Sequence, residues 1–245
     1  MSAPARKGID WVAAAPWLYT IVLFVAWELI CRVFAVPQFI LPAPTVIAKA
    51  IYQYWPAIWT NSLQTLYTTT LGFILAVVGG LALGILVGWS RFIYAGLYPL
   101  MVGFNAIPKV AVVPILVIWF GIGTIPAVLT AFLIAFFPIV VNVATGLATI
   151  EPEMEDVLRA LGAKKMDIML KVAITLAFIG SVISETVAAN SGLGHLMLSA
   201  QSQFNVPLVF AGMIMLAVEG IAMYAAMAWL EMRTTGWAHR SQMVN

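Results

Sequence analysis

The sequence is short of most things that soluble proteins use for chemistry. One cysteine, Cys31, in 245 residues excludes a disulfide framework and any cysteine-rich metal site. The two histidines, His195 and His239, fall in loops or tails, and no spacing with the acids makes a metal centre. Charged residues are only 9% of the chain and the net charge is +2, so nothing points to a nucleic-acid partner. The phosphate-cradling GxxxxGK[ST] pattern is absent, which leaves no ATP site of that kind. No Ser/His/Asp or Cys/His arrangement carries a motif for an intramembrane enzyme. No cleavable leader is expected either. The pair Arg6-Lys7 precedes an apolar stretch too long for a signal sequence, without a small-residue cleavage site. The first span is therefore expected to remain in the mature protein.

What is present is hydrophobicity. Apolar residues make up 63% of the chain and the mean hydropathy is +1.01, against about 45–50% apolar in soluble domains. A spanning helix needs about 20 apolar residues, so the length allows about six. The chain is expected to be a single all-α integral membrane domain, 1–245, with six transmembrane helices.

In chain order, span one is predicted at about Pro16–Val36, with Trp17, Tyr19 and Trp27 as interfacial anchors. A Pro-rich loop (Pro37, Pro42, Pro44) and a surface helix over Val46–Trp59 follow. Span two, Leu63–Trp89, carries Gly72, Ala76, Gly80, Gly84 and Gly88 at four-residue spacing. Such a stripe of small residues lets another helix backbone approach closely, and packing explains it better than a pore role. Ile93–Gly121 holds Pro99, Pro108 and Pro114, each removing a backbone donor. It is predicted to be a broken or kinked third span whose main membrane part is Val110–Phe120. Span four, Pro126–Ala148, is expected to bend near Pro138. Span five covers Val172–Ala189, the segment Asn190–Val206 is an external loop, and span six is Pro207–Glu231. With both termini inside, cytoplasmic segments hold Arg6, Lys7, Arg91, Arg159, Lys164, Lys165, Lys171, Arg233 and Arg240. External segments hold at most Arg32 and Lys49, so an N-in/C-in topology satisfies the positive-inside rule.

Between spans four and five lies the one long polar interlude, Glu151–Lys171. Pro152 suits a first helical turn, and Glu151, Glu153, Glu155 and Asp156 complement the positive end of that helix. Gly162 fits its stop, and Lys164 and Lys165 open a second helical piece. A short helix, a glycine bend and another helix make a rigid knob suited to docking, although an ordinary solvated loop has the same polarity.

The run Asp156-Val157-Leu158-Arg159-Ala160-Leu161-Gly162-Ala163 resembles the cytoplasmic loop of binding-protein-dependent ABC importer permeases, whose pattern is Glu-Ala-Ala, three residues, then Gly. Ile107-Pro108-Lys109-Val110-Ala111, with Pro114 and Trp119-Phe120-Gly121-Ile122-Gly123, is similar to the third-span region of the nitrate/sulfonate/taurine branch. Ser184-Glu185 followed by Gly192-Leu193-Gly194 resembles the end of its fifth span. The resemblance covers roughly residues 15–235. It implies a translocation subunit of the bacterial cytoplasmic (inner) membrane, multi-pass and without catalysis or a cofactor of its own. ATP and Mg would sit on two separate ATP-binding subunits. A second permease subunit, expected to be another copy, and an extracytoplasmic substrate-binding protein complete the implied assembly. The ATPases would grip Glu153, Asp156, Arg159, Ala160, Leu161, Gly162 and Ala163, and their closure would switch the spans between inward- and outward-open states.

Two departures from the family pattern stand out. Asp156 replaces the first Glu, and Val157-Leu158 replace the two alanines. The family also has a further stretch, with two prolines, between the loop's Lys-Val and the fifth span. Here Lys171-Val172-Ala173-Ile174 run straight into Thr175, leaving span five about 18 residues, ~27 Å long at 1.5 Å per residue. Residues are expected to be missing between about Val172 and Thr175.

Ionisable groups inside spans are costly and usually face a cavity or a partner. Glu219, mid-span, is either a path or gating residue or a paired structural acid. Glu185 matches a family position near the external gate, where hydrogen bonding is favoured over solute contact. Glu28 is expected at the interface. Lys109 could meet an anionic solute or snorkel to the inner interface. Candidate path residues are therefore Glu219, Glu185, Lys109 and Asn142, while the Met residues of span six are assigned to packing. The competing reading is a proton-coupled secondary transporter using Glu219 or Glu185, against which stands the lack of a repeat between residues 1–120 and 121–245. An apolar, Met- and aromatic-rich path favours a small organic solute, such as a sulfonate or taurine-like anion or a vitamin precursor.

Overall fold

The computed structural model describes residues 11–148, 178–179, 182–183, 185–186 and 189–234. Every regular element among them is helical: α1 (Trp11–Val33), α2 (Pro44–Gln53), α3 (Trp55–Gly88), α4 (Arg91–Ala106), a 3₁₀ turn (Lys109–Val112), α5 (Val113–Phe120), α6 (Thr124–Ala148), α7 (Leu193–Ser202) and α8 (Val206–Thr234). Three of these are long and apolar enough to cross a membrane, and a fourth crossing is possible if α4 and the 3₁₀–α5 segment form one bent span.

Prolines set many of the boundaries. Pro44 opens α2, and Pro56 sits in the first turn of α3, where its missing N–H costs nothing. The expected surface helix Val46–Trp59 is therefore divided. α2 stops at Gln53, and Trp55 and Trp59 belong to the 34-residue α3. Pro108 pushes Ile107 out of helical geometry, to φ −65° and ψ 128°, as the residue before a proline prefers. The chain turns there by 78°, so the expected break in the third apolar segment is present. Pro138 lies inside α6. The expected loop Asn190–Val206 is largely the helix α7, its apolar Leu193, Leu196 and Ala200 packed against α2, α3 and α8.

The small-residue stripe of α3 packs on α6. A Cβ at Gly72 would lie 2.6 Å from Ala131 Cβ, one at Gly84 2.6 Å from Val143 Cβ, and one at Gly88 2.7 Å from Leu147 Cβ. Ala76, Ala131, Ala135 and Ile139 are fully buried in the same seam, joined by Met223 of α8. A second cluster gathers Ile47, Ile58, Leu193 and Leu208 from α2, α3, α7 and α8. α1 lies outside both, with Leu18, Ile21, Val22, Leu23 and Leu29 each more than half exposed. It meets the rest through Trp27 against Phe210, ring centroids 6.1 Å apart, and through Glu28. That carboxylate takes the Arg32 guanidinium, the Thr45 hydroxyl and, at 3.0 Å, the Thr45 N–H at the start of α2, where a negative charge complements the helix end.

A buried polar seam as candidate functional site

Seven polar or charged side chains are buried among the described residues: Ser62, Thr65, Thr68, Thr69, Thr130, Glu185 and Glu219. Ser62, Thr65 and Thr68 of α3, Glu185 and Glu219 of α8 are bonded in one seam. On α3 the hydroxyls recur at three- and four-residue spacing, which puts them on one helix face.

Glu185, 1% exposed, has donors on both oxygens. Its Oε2 accepts from Thr65 Oγ1 at 2.8 Å and from the Gly194 N–H at 3.3 Å, and its Oε1 accepts from Thr68 Oγ1 at 3.0 Å. Bonds to a charged group are each worth ~1.5–3 kcal/mol, which makes the burial tolerable. The same strand of bonds continues outward. The Leu193 N–H donates to Thr65 Oγ1 and the Gly192 N–H to Asn61 Oδ1, both at 2.8 Å. Gly192 has φ +105°, and a Cβ there would lie 2.2 Å from Glu185 Cδ. Only glycine fits that backbone.

Glu219 is 2% exposed and receives the Ser62 hydroxyl on Oε1, whereas Oε2 has no hydrogen-bond partner. The two acids are therefore enclosed rather than set on an open surface. Lys109 and Asn142 occupy a different place. Lys109 is half-buried at the 78° turn, its Nζ donating to the Asn105 carbonyl and Oδ1 and lying 5.1 Å from the Phe137 ring centroid. Asn142 is exposed on α6 and donates to the Pro138 carbonyl at 2.7 Å. Of the four candidate path residues, the structure thus joins Glu185 and Glu219 in a closed seam, and leaves Lys109 half-buried and Asn142 exposed at separate places. The proposed docking residues Glu153, Asp156, Arg159, Ala160, Leu161, Gly162 and Ala163, and the expected gap at Val172–Thr175, lie outside the described residues. Sequence reasoning did not single out Asn61, Ser62, Thr65, Thr68 and Thr69. Their hydroxyl and amide periodicity within an otherwise apolar helix was the available signal.

Comparison with known families decides the class. Residues 80–236 match the family described as binding-protein-dependent transport system inner membrane component. The chain belongs to that family. It is similar to the formylaminopyrimidine transport permease protein of Halalkalibacterium halodurans, 32% identical over 241 positions covering 92% of this chain and 96% of the relative. It is also similar to the riboflavin transport system permease protein of Chloroflexus aurantiacus, at 30% identity over 93% of this chain and 91% of the relative. A putative aliphatic sulfonates transport permease protein of Bacillus subtilis is 26% identical over 96% of this chain and 90% of its own length. Because 92% of 245 residues is about 225, fewer than the 241 aligned positions, the first of these relatives carries residues with no counterpart here. The chain is thus an ABC transport permease of the cytoplasmic membrane, with several apolar helices.

Proposed function

We propose that this permease is the non-catalytic translocation subunit of an ATP-driven importer for a small organic solute. The solute is handed over by an extracytoplasmic binding protein and passes by alternating access. The observation that carries the reading is the family match across residues 80–236, a stretch that contains all three sequence motifs. Six spans, N-in/C-in, with a second copy of the chain and two ATP-binding subunits, complete the assembly. The ATPases grip Glu153–Gly162, and ATP binds on them, not on this chain. Relatives named for formylaminopyrimidine, riboflavin and aliphatic sulfonates support an organic solute, a vitamin precursor or a sulfonate. Lys109 and Asn142 line the solute's side of the protomer, a role supported by the partial exposure of the one and the exposure of the other in an apolar chain. Glu185 and Glu219 support the walls from within.

The test is co-purification. A tagged chain should bring down an ATP-binding subunit from its own cell, and Gly162→Pro or Arg159→Glu should abolish the association. Solute uptake that persists without any ATPase, yet collapses with the proton gradient, overturns the reading.

A further inference from the structure

We propose that Glu185 is a positioning residue of the transport cycle, whose carboxylate locks the Gly192-Leu193-Gly194 turn onto α3 so that α7, α3 and residues 182–186 move as one body. The inference rests on the permease reading above and assigns a role inside it.

The geometry argues for a lock rather than ordinary packing. Three donors from two elements, Thr65 and Thr68 of α3 and the Gly194 N–H, converge on one buried carboxylate. Two further turn amides, Gly192 and Leu193, are held by Asn61 and Thr65 of α3. An apolar helix contact can slip by a fraction of a turn at small cost. This one slips only at a cost, because each donor displaced would leave its partner in a fully buried site. Sterics close the remaining freedom. A Cβ at Gly192 would lie 2.2 Å from Glu185 Cδ, and one at Gly194 2.6 Å from the Val182 carbonyl oxygen. The contact therefore holds one arrangement, as elements that rotate together as a rigid body require. Along the sequence, Glu185 lies 14 positions after Lys171, the last residue of the polar loop. In sequence order the lock stands between that loop and α7.

The experiment uses the full chain with its ATP-binding subunits in lipid nanodiscs. Spin labels are placed through Leu198→Cys on α7 and Ile118→Cys on α5, both exposed, in a Cys31→Ser background. With the lock intact, the inter-label distance should differ between the nucleotide-free and ATP–vanadate states. Glu185→Gln and Thr68→Val should shrink that difference at least about fivefold while basal ATPase activity stays within about twofold, and Thr68→Ser should restore it. A merely structural role would not separate these two readouts. A difference that survives in either variant, or is absent with the lock intact, overturns the proposal. If Glu185→Gln fails to assemble, Thr68→Val decides. If neither assembles, the lock serves folding alone and the proposal falls. Failure of the unaltered chain to bind any ATP-binding subunit refutes the permease reading itself.

Discussion

Replacing Gly72 by alanine tests the α3–α6 seam with one methyl group. The new Cβ would stand 2.6 Å from Ala131 Cβ, 2.8 Å from the Val128 carbonyl oxygen and 3.1 Å from the Phe132 nitrogen. Favourable carbon contacts lie at about 3.5–4.0 Å, so the helices must part by about 1 Å. Two of the three neighbours are backbone atoms and cannot swing aside. Overpacking of this kind costs ~1–3 kcal/mol. Alanine also raises helix propensity by ~1 kcal/mol over glycine, which would mask part of the loss. Gly96→Ala in α4 supplies the control, since nothing lies within 4 Å of its added Cβ and the propensity gain is the same. The difference between the two variants isolates the overlap. At about 2–4 °C per kcal/mol, Gly72→Ala should melt several degrees below Gly96→Ala in nanodiscs followed by fluorescence-detected size exclusion. Ala131→Gly in the same chain should recover part of the gap, because it removes the nearest of the three overlaps. Equal melting of the two single variants would refute the close approach of α3 and α6.

Further substitutions at Ser62, Glu219 and Lys109 probe the seam and the cation at the 78° turn. Ser62→Ala strips Glu219 of the donor on Oε1 and should cost ~1–3 kcal/mol, and Glu219→Gln, which keeps an acceptor for Ser62, should cost less than Glu219→Met, which leaves that buried hydroxyl unpaired; the reverse order of Gln and Met in thermal melts would contradict the seam as described. Lys109→Met loses a cation–π contact of ~0.5–1 kcal/mol, so it should leave the melting point nearly unchanged while lowering uptake of an anionic solute, and unaltered uptake would remove Lys109 from the path.

The apolar architecture was legible because its signals are local. Four-residue spacing of Gly72, Ala76, Gly80, Gly84 and Gly88 encodes a close helix approach wherever the partner helix lies, and Pro108 pushes the residue before it out of helical geometry by local sterics. The helix α7 was not legible. Its apolar positions Leu193, Leu196 and Ala200 stand beside Gly192, Gln201, Gln203 and Asn205, residues that read as loop. Tertiary burial against α2 and α8 overrides that local preference. Glu185 and Gly192-Leu193-Gly194 could be picked out as a motif, but not the partners on α3. Those lie about 120 residues away in the chain, at |i−j| of 117 to 131. Glu219 was conspicuous by its charge alone, and the residue that answers it, Ser62, is an ordinary serine in sequence.

The length of α3 sets how deep the two acids lie. Its 34 residues rise about 51 Å at 1.5 Å per residue, and Arg91 marks the polar boundary just beyond its C-terminal end. A hydrocarbon layer of ~30 Å takes up about 26 residues of a helix tilted by as much as ~40° and fewer at smaller tilts. Counted back from Gly88, the first two turns of α3 therefore stand in the headgroup region, where the stacked rings of Trp55 and Trp59, 5.8 Å apart, suit an amphipathic setting. Asn61, Ser62 and Thr65 then mark the rim of the hydrocarbon, and the carboxylates of Glu185 and Glu219 bonded to them share that height. A residue central in its own helix is thus peripheral in the bilayer, where a buried acid is least costly.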